Sequence, residues 1–523
     1  MKIKICVSLI FLCTCSTQCQ TQQESEFPQK NIYFGDIHNH CNVGYAKGSL
    51  ERAYDIAQNH LDFYCFTPHS QWHDQPQNSN LERFTAAYHD VAQKWDMIKR
   101  YANDANQPGK FVSFIGYEWH SSMYGDVCMI MPGDDGELRY FGDIKMIQQY
   151  AQENNAILIP HHPAYMQGMR GQNWSVLGPL NISPVVEIFS EHGDAESDRA
   201  PFPYIRHSMG GRYTKNTIQY LWSQGIQVGI VASTDDHLGH PGSYGEGLAA
   251  VYADTLTRES IMEAIKARRT YAVSQDRIEL DFRLNGHWMG ETIPAVSSRK
   301  IFVKIKGKDV IDRVEVLRNN KVIYRDHPVD RDINNASWEK PVLCRIEYGW
   351  GPWGGFNAER IIDWNFDIHV TNGKLLSATP CFQCGPLDEN RRNKITPVDN
   401  HRCQLSSYTS RKQAYEERAT NSVILEIQGT PETELALTLT QPTEMKYKKT
   451  LSELTESNDI IFTGGMPSES IMIHRIVFAD NYFTEFNFKD RHTSDITDWY
   501  YVRVTQTNGS LAWSSPVWIE GKK

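Results

Sequence analysis

Side chains of metal-ligand type recur in six short strings through the first half of the chain. They are His38 and His40 in FGDIHNH, His69 in FTPHS, Glu118 and His120 in FIGYEWH, His161 and His162 in ILIPHHP, Glu187, Glu191 and His192 in VVEIFSEHG, and Asp235, Asp236 and His237 in VASTDDH. Imidazole and carboxylate are the donors that zinc and other first-row divalent ions take. The chemistry such a cluster supports is metal-assisted hydrolysis. A single His-x-His pair carries little weight, since 19 His in 523 residues supply roughly 0.7 such pairs by chance. The repetition carries more: each string closes a predicted strand, and residues at the same ends of parallel strands converge on one point.

The residues differ in strength. His38 and His40 share one face of an extended segment and form a ready chelate. Glu118 closes an apolar strand, where a carboxylate is costly to bury without a cation or hydrogen bonds. Asp235 and His237 flank Asp236, which faces the other way and reads as structural. A regular strand cannot aim both His161 and His162 at one site, so one is expected to ligate and the other to cap or to bind substrate. His192 reads either as a hydrogen-bonded supporting histidine or as a substrate-facing one, with Glu187 and Glu191 ranked below it. Trp72, Trp119 and Trp174 are candidates for an apolar rim, and core packing explains Trp119 equally well.

Residues 31–275 alternate strand and helix. Strands are predicted at Ile32–His38, Leu61–Thr67, Phe111–Tyr117, Val127–Met131, Ala156–Pro160, Val185–Phe189 and Val228–Ser233. Helices are predicted at Leu50–His60 behind a Ser49 cap, along Leu81–Tyr101, and at Ile144–Glu153, Thr217–Ser223 and Arg258–Arg268. This alternation predicts an α/β fold with a parallel sheet, closed as a barrel; an open doubly wound sheet is the rival. After Gln275 the period changes to two, as in Val423, Leu425 and Ile427 or Leu435, Leu437 and Leu439. Residues 276–523 are therefore expected to form a mostly antiparallel β-sandwich domain. Trp338–Trp364, with four Trp, reads as a long ordered loop.

Composition narrows the function classes. A net charge of −10 argues against a nucleic-acid partner, which needs a basic stripe. Residues 1–22 read as an export signal: Lys2 and Lys4 precede an apolar run, Ile5 to Thr14, too short to span a bilayer. Leu12-Cys13-Thr14-Cys15 is a loose lipobox in which Cys15 carries a lipid anchor, the one expected membrane contact; plain secretion is the alternative. The expected location is accordingly the periplasm, or the outer membrane or cell surface as a lipoprotein. Cys41, Cys65 and Cys128 read as small buried hydrophobes, and Cys381-x-x-Cys384 as a local disulfide in preference to a zinc site.

Over residues 31–275, through GDIHNH, LDFYCFTPHS, GYEWH, PHHP and STDDH, the chain resembles the PHP (polymerase and histidinol phosphatase) superfamily. With RLNGHWMGE and YYVRVTQTNGSLAWSSPVWI, it is similar to an uncharacterised secreted bacterial branch of that superfamily. The resemblance implies a distorted seven-stranded (β/α) barrel of PHP type with up to three metals. His38, His40, Glu118 and Asp235 would hold the first, His69 and His237 contribute to another, and His162 or His161 to a third, with Asp126 where a His ligand is usual. His120 and His161 are the expected substrate contacts, and His192 and His237 the expected proton-transfer groups. Thr67-Pro68-His69 departs from the usual Thr-Asp-His, and no third His follows the first pair, so one or two divalent ions such as Zn, Mn or Fe are expected rather than three. The implied function is a secreted phosphoester hydrolase using metal-activated water, acting on a small-molecule or glycan-linked substrate. Cleavage of a non-phosphate bond in a glycan-associated substrate, or metal-stabilised glycan binding without catalysis, are the alternatives.

Overall fold

Short apolar runs bounded by turn residues form the strands that carry the ligand strings. The computed structural model describes residues 29–74, 81–205, 209–333, 336–350, 360–410, 419–466 and 468–522. The expected leader 1–22 with Cys15 lies outside these, as do residues 351–359 of the Trp338–Trp364 segment. The strands of the first half are β1 (Asn31–Asp36), β2 (Phe63–Phe66), β3 (His69–Trp72), β4 (Val112–His120), β5 (Val127–Met131), β6 (Ile157–Pro160), β7 (Val185–Ser190), β8 (Gly193–Asp194), β9 (Gly229–Ala232), β10 (Leu248–Ala253) and β11 (Thr270–Val273). Between them lie α1 (Leu50–His60), α2 (Leu81–Gln93), α3 (Trp95–Ala105), α4 (Ile144–Glu153), α5 (Ile218–Ser223) and α6 (Arg258–Lys266). Ser49 starts α1 by accepting the Arg52 N–H, and Asp143 and Thr257 cap α4 and α6 in the same way. The single amphipathic stretch expected from Leu81 to Tyr101 is instead two helices, α2 and α3.

The expected seven-stranded (β/α) barrel does not form. The chain is mostly β, 41% strand against 16% helix. Strands β1, β2 and β4 run parallel in sequence, but β10 joins β1 antiparallel and β11 joins β10 antiparallel, while β5 and β6 continue antiparallel on the other side. The cause at β5 is local: residues 121–126 are too few for a crossover helix, so the chain must return antiparallel. Strands β7 and β9 pair parallel in a separate three-stranded sheet with β8, and among the described residues no ladder joins β6 to β7 or β9 to β11. At the second seam side chains take the ladder's place. The Thr270 hydroxyl donates to the Ile230 carbonyl (2.8 Å), and Ser515 Oγ accepts the Ile230 N–H (2.9 Å).

The boundary expected at residue 275 is crossed by hydrogen-bonded strands. β11 pairs with Leu511–Ser514, placing Ala272 opposite Trp513, and that strand pairs with Asp498–Gln506. The chain's last three strands, together with Thr292–Ile293, Ile311–Arg318 and Lys321–Asp326, thereby extend the first-half sheet to fourteen strands, and Asn31–Lys523 is one compact unit. Glu196, after β8, secures the join: it accepts from Arg503 Nη1 at 2.9 Å to each oxygen and from the Tyr501 hydroxyl at 2.6 Å.

Two five-stranded antiparallel sheets lie further along the chain. One holds Val342–Gly349 and Asn421–Gln428, the other Ile362–Thr371 and Glu434–Gln441. Alternate residues Val423, Leu425 and Ile427 of one and Leu435, Leu437 and Leu439 of the other share one apolar core. The Trp338–Trp364 segment is not a loop throughout, since Val342–Gly349 is a strand and Trp364 is buried within another. The seven described cysteines are free and buried. The expected Cys381–Cys384 disulfide is not formed, because Cys381 Sγ turns to Asp276 (3.9 Å) and Cys384 Sγ to Glu246 (3.6 Å).

Candidate metal centre

Four side chains from three places in the sequence close a cage. His38 and His40 follow β1, Glu118 lies in β4, and Asp235 follows β9. His40 Nε2 lies 3.2 Å from His38 Nε2 and 2.9 Å from Asp235 Oδ1, which is 3.3 Å from His38 Nε2. Glu118 Oε2 lies 3.6 Å from His40 Nε2 and 4.0 Å from His38 Nε2. Donors about 2.1 Å from a tetrahedral ion stand about 3.4 Å apart, so these edges match a shared divalent ion. The polar bookkeeping agrees with that fit. Glu118 Oε2, Glu187 Oε1, His40 Nδ1, His161 Nδ1 and both ring nitrogens of His162 are buried without a hydrogen-bond partner, and Glu118 Oε2 among them lies on the cage. Nitrogen and carboxylate donors suit Zn, Mn or Fe.

Protonation divides the set: burial opposes charge on His38, yet Cys128 and Asp235 beside it raise its pKa well above the usual 6.5, whereas the two carboxylates and His40 are held in the form that ligates. Burial raises the cost of charging Glu118, yet His120 and His161 beside it hold its carboxyl well below the usual range. Burial opposes the Asp235 carboxylate too, and His38 and His192 hold it low. Burial and the neighbouring His237 bring His40 down to about 4, and burial brings His162 to about 4.

A second group surrounds His69. His69 Nε2 lies 3.1 Å from His237 Nε2, while its Nδ1 is 3.1 Å from His120 Nε2 and 2.9 Å from Glu118 Oε2. His40, His69 and His237 can share an ion, as can His69, Glu118 and His120. The rings of Tyr45, His69 and His40 form one stack, with centroids 3.7 and 3.8 Å apart. His120 lies against Trp72 at 5.0 Å, so Trp72 flanks the centre; Trp119 is core, and Trp174 lies elsewhere beside Leu177, Leu180 and Ile226.

His161 and His162 both face the cluster, against the expectation that only one could. β6 ends at Pro160, and His162 takes φ +31, so the pair escapes strand alternation. His161 Nε2 meets Glu118 Oε1 at 2.5 Å, and His162 Nε2 lies 3.6 Å from Asp126 Oδ2. Asp235 likewise sits at φ +55. Non-glycine residues in this region cost about 1–3 kcal/mol, strain that the surrounding contacts must hold. Asp236 points away and accepts the Leu238 and His240 N–H groups (3.0 and 2.7 Å), a loop-stapling role.

His192 is buried and held at both nitrogens, by the Tyr165 hydroxyl (2.9 Å) and Asp235 Oδ2 (3.0 Å). His237 is the outermost histidine of the set, its side chain 29% exposed. Glu191 (3.2 Å) and the Asp235 carbonyl (2.8 Å) hold its Nδ1. Glu187, ranked low from sequence, is fully in the site at 3.2 Å from His38 Nδ1. Its signal was present in VVEIF, a carboxylate inside an otherwise apolar strand. Arg170 and Tyr45 lie in irregular loops and carry no comparable pattern.

Residues 58–128 and 243–292 match a family described as "Protein of unknown function (DUF3604)". The first of these segments contains His69, Glu118, His120 and Asp126. An uncharacterized protein of Chlamydia trachomatis serovar D is 27% identical over 267 residues, 46% of this chain and 42% of the relative. One from Chlamydia muridarum is 26% identical over 268 residues, with the same coverage. The chain thus spans less than half the length of the curated relatives it matches. Among solved structures, BcpA, the major pilin subunit of Bacillus cereus, covers 48% of this chain and 68% of its own at 6% identity with a TM-score of 0.08.

Proposed function

We propose that this protein is a metal-dependent hydrolase of phosphoesters. The observation that carries the reading is the cage of His38, His40, Glu118 and Asp235, whose donor atoms stand 2.9 to 4.0 Å apart with buried oxygens and nitrogens left unpaired around it. The likeness of the same strings to the PHP superfamily supports the phosphoester class. Bound there, a divalent cation supplies Lewis-acid activation of water and of a phosphoryl oxygen, and the chemistry of the donor set suits one or two such ions.

The chain's own residues then orient and protect. Glu187 Oε2 holds His38 Nδ1 at 3.2 Å, which turns the ring's Nε2 toward the cage. Asp235 fixes His40 through Oδ1 and His192 through Oδ2. Held on both sides, His192 positions Asp235 and does not itself reach the leaving group. His237 is anchored at Nδ1 and turns its Nε2 to His69 Nε2 at 3.1 Å, where it would help to hold a second ion at the more exposed side of the cluster. Tyr45 and Trp72 wall the cluster with aromatic faces and limit the water that reaches it.

The test is elemental analysis of the purified protein together with a panel of phosphomonoesters, phosphodiesters and glycan esters. Stoichiometric transition metal with turnover of a phosphate ester is the expected result. Metal-free protein that turns over none of them overturns the reading, and hydrolysis of a glycan ester alone transfers the site to non-phosphate chemistry.

A further inference from the structure

The chain itself places a guanidinium in the cluster. Asp126 Oδ1 accepts the Ser121 N–H at 2.9 Å. Asp126 Oδ2 accepts from Arg170 Nε (2.8 Å) and from Arg170 Nη2, and lies 2.9 Å from His120 Nδ1. Two Arg170 N–H groups on one oxygen, with His120 Nδ1 beside them, use its lone-pair directions. The guanidinium is fixed from its other face by Trp72, 4.8 Å from the ring centroid, and its side chain is only 12% exposed. Arg170 reaches this place from a φ of +68, with its N–H on the Ser122 carbonyl at 3.3 Å.

The residues around that oxygen are themselves a ligand set. Glu118, Asp126, His161 and His162 offer donor atoms all within 4.8 Å of one another. His162 Nε2 lies 3.6 Å and His161 Nε2 3.8 Å from Asp126 Oδ2, and both His162 nitrogens are buried and unpaired. An ion bound through the same carboxylate oxygen would face the Arg170 guanidinium across a single atom, and the two like charges repel.

Resting on the metal-dependent reading, we infer that Arg170 occupies one corner of the cluster in place of an ion, so that Asp126 is not a metal ligand and the centre takes at most two divalent ions. The third positive charge is then permanent and independent of metal supply. This revises the expectation that Asp126 ligates.

Wild-type protein and the variants R170K, R170M, R170Q and D126N/R170M are loaded with excess Mn²⁺, freed of unbound ion by gel filtration and assayed for ions per chain. Circular dichroism of each checks folding, and R170Q, which keeps a planar group on Trp72, stands in if R170M does not fold. At most two ions in wild type and R170K, one more in R170M and R170Q, and the wild-type count again in D126N/R170M is the expected pattern. An unchanged count of one or two in the neutral variants overturns this inference alone, as do three ions in wild type. A wild-type protein that retains no ion overturns the metal-dependent reading and this inference with it.

Discussion

Glu187 Oε2 lies 3.2 Å from Nδ1 of His38, on the side of the ring turned away from the cage. A carboxylate in that position fixes the ring's orientation and raises the basicity of the nitrogen that faces the ion. Both residues are buried, so neither water nor another side chain substitutes for the contact.

Glu187→Gln is therefore expected to weaken metal affinity about 10–100-fold without unfolding the protein. Competition against a chromophoric chelator measures it. An affinity equal to wild type means that Glu187 is spectator to the cage.

The cage itself predicts a stability signature. Ion bound at 100 times its Kd stabilises a fold by about 2.7 kcal/mol. Chelation is expected to lower the melting temperature of wild type and to leave that of a His38→Ala/His40→Ala variant unmoved. An equal response in both places the ion elsewhere.

Asp276 joins the two halves of the chain. It lies just beyond β11 and accepts from both Arg345 (2.9 Å) and the Tyr244 hydroxyl (2.9 Å), and also from Asn508 Nδ2 at 2.7 Å. Asp276→Ala leaves the Arg345 guanidinium, 10% exposed, without its main partner, a change that costs about 3–5 kcal/mol. Urea denaturation should show that loss as a shift of one transition, because the fourteen-stranded sheet runs through both halves. Two separated transitions would contradict the continuous sheet.

His60 gives a pH dependence away from the metal cluster. Burial first, and Arg277 second, press its pKa down to about 3 from the usual 6.5, while its Nε2 stays on the Pro241 carbonyl at 2.8 Å. The folded value lies below the unfolded one, so the unfolded chain takes up the proton first as pH falls. The contribution is complete above about pH 6.5 and is lost progressively toward pH 3. Between pH 7 and pH 5 the metal-free wild type should lose about 1–2 kcal/mol more than His60→Gln. Parallel losses in the two proteins would remove His60 as the cause.

Much of the candidate site is legible in the sequence. His38, His40, Glu118 and Asp235 stand together, the set that the family resemblance implied, and the Ser49 cap, α4 and the alternation in 421–428 and 434–441 lie where local chemistry puts them. Such features depend on neighbours in sequence: a capping oxygen, a two-residue period, two imidazoles on one face. His161 with His162 went wrong for the converse reason. Strand alternation forbids both rings from one face, but the pair lies beyond the end of β6 at Pro160 and His162 takes a positive φ, so the rule does not apply.

By itself the sequence determined which side chains are present to bind an ion, and that apolar runs would bring most of them to strand ends. Tertiary structure decided the rest. It left the ladder open, because a six-residue turn after β4 permits only an antiparallel return, and it drew the chain's last strands into the first-half sheet to meet the exposed edge of β11. It also brought Arg170 onto Asp126, a pairing across 44 residues that no local pattern encodes, since long-range charge contacts are set by how loops pack.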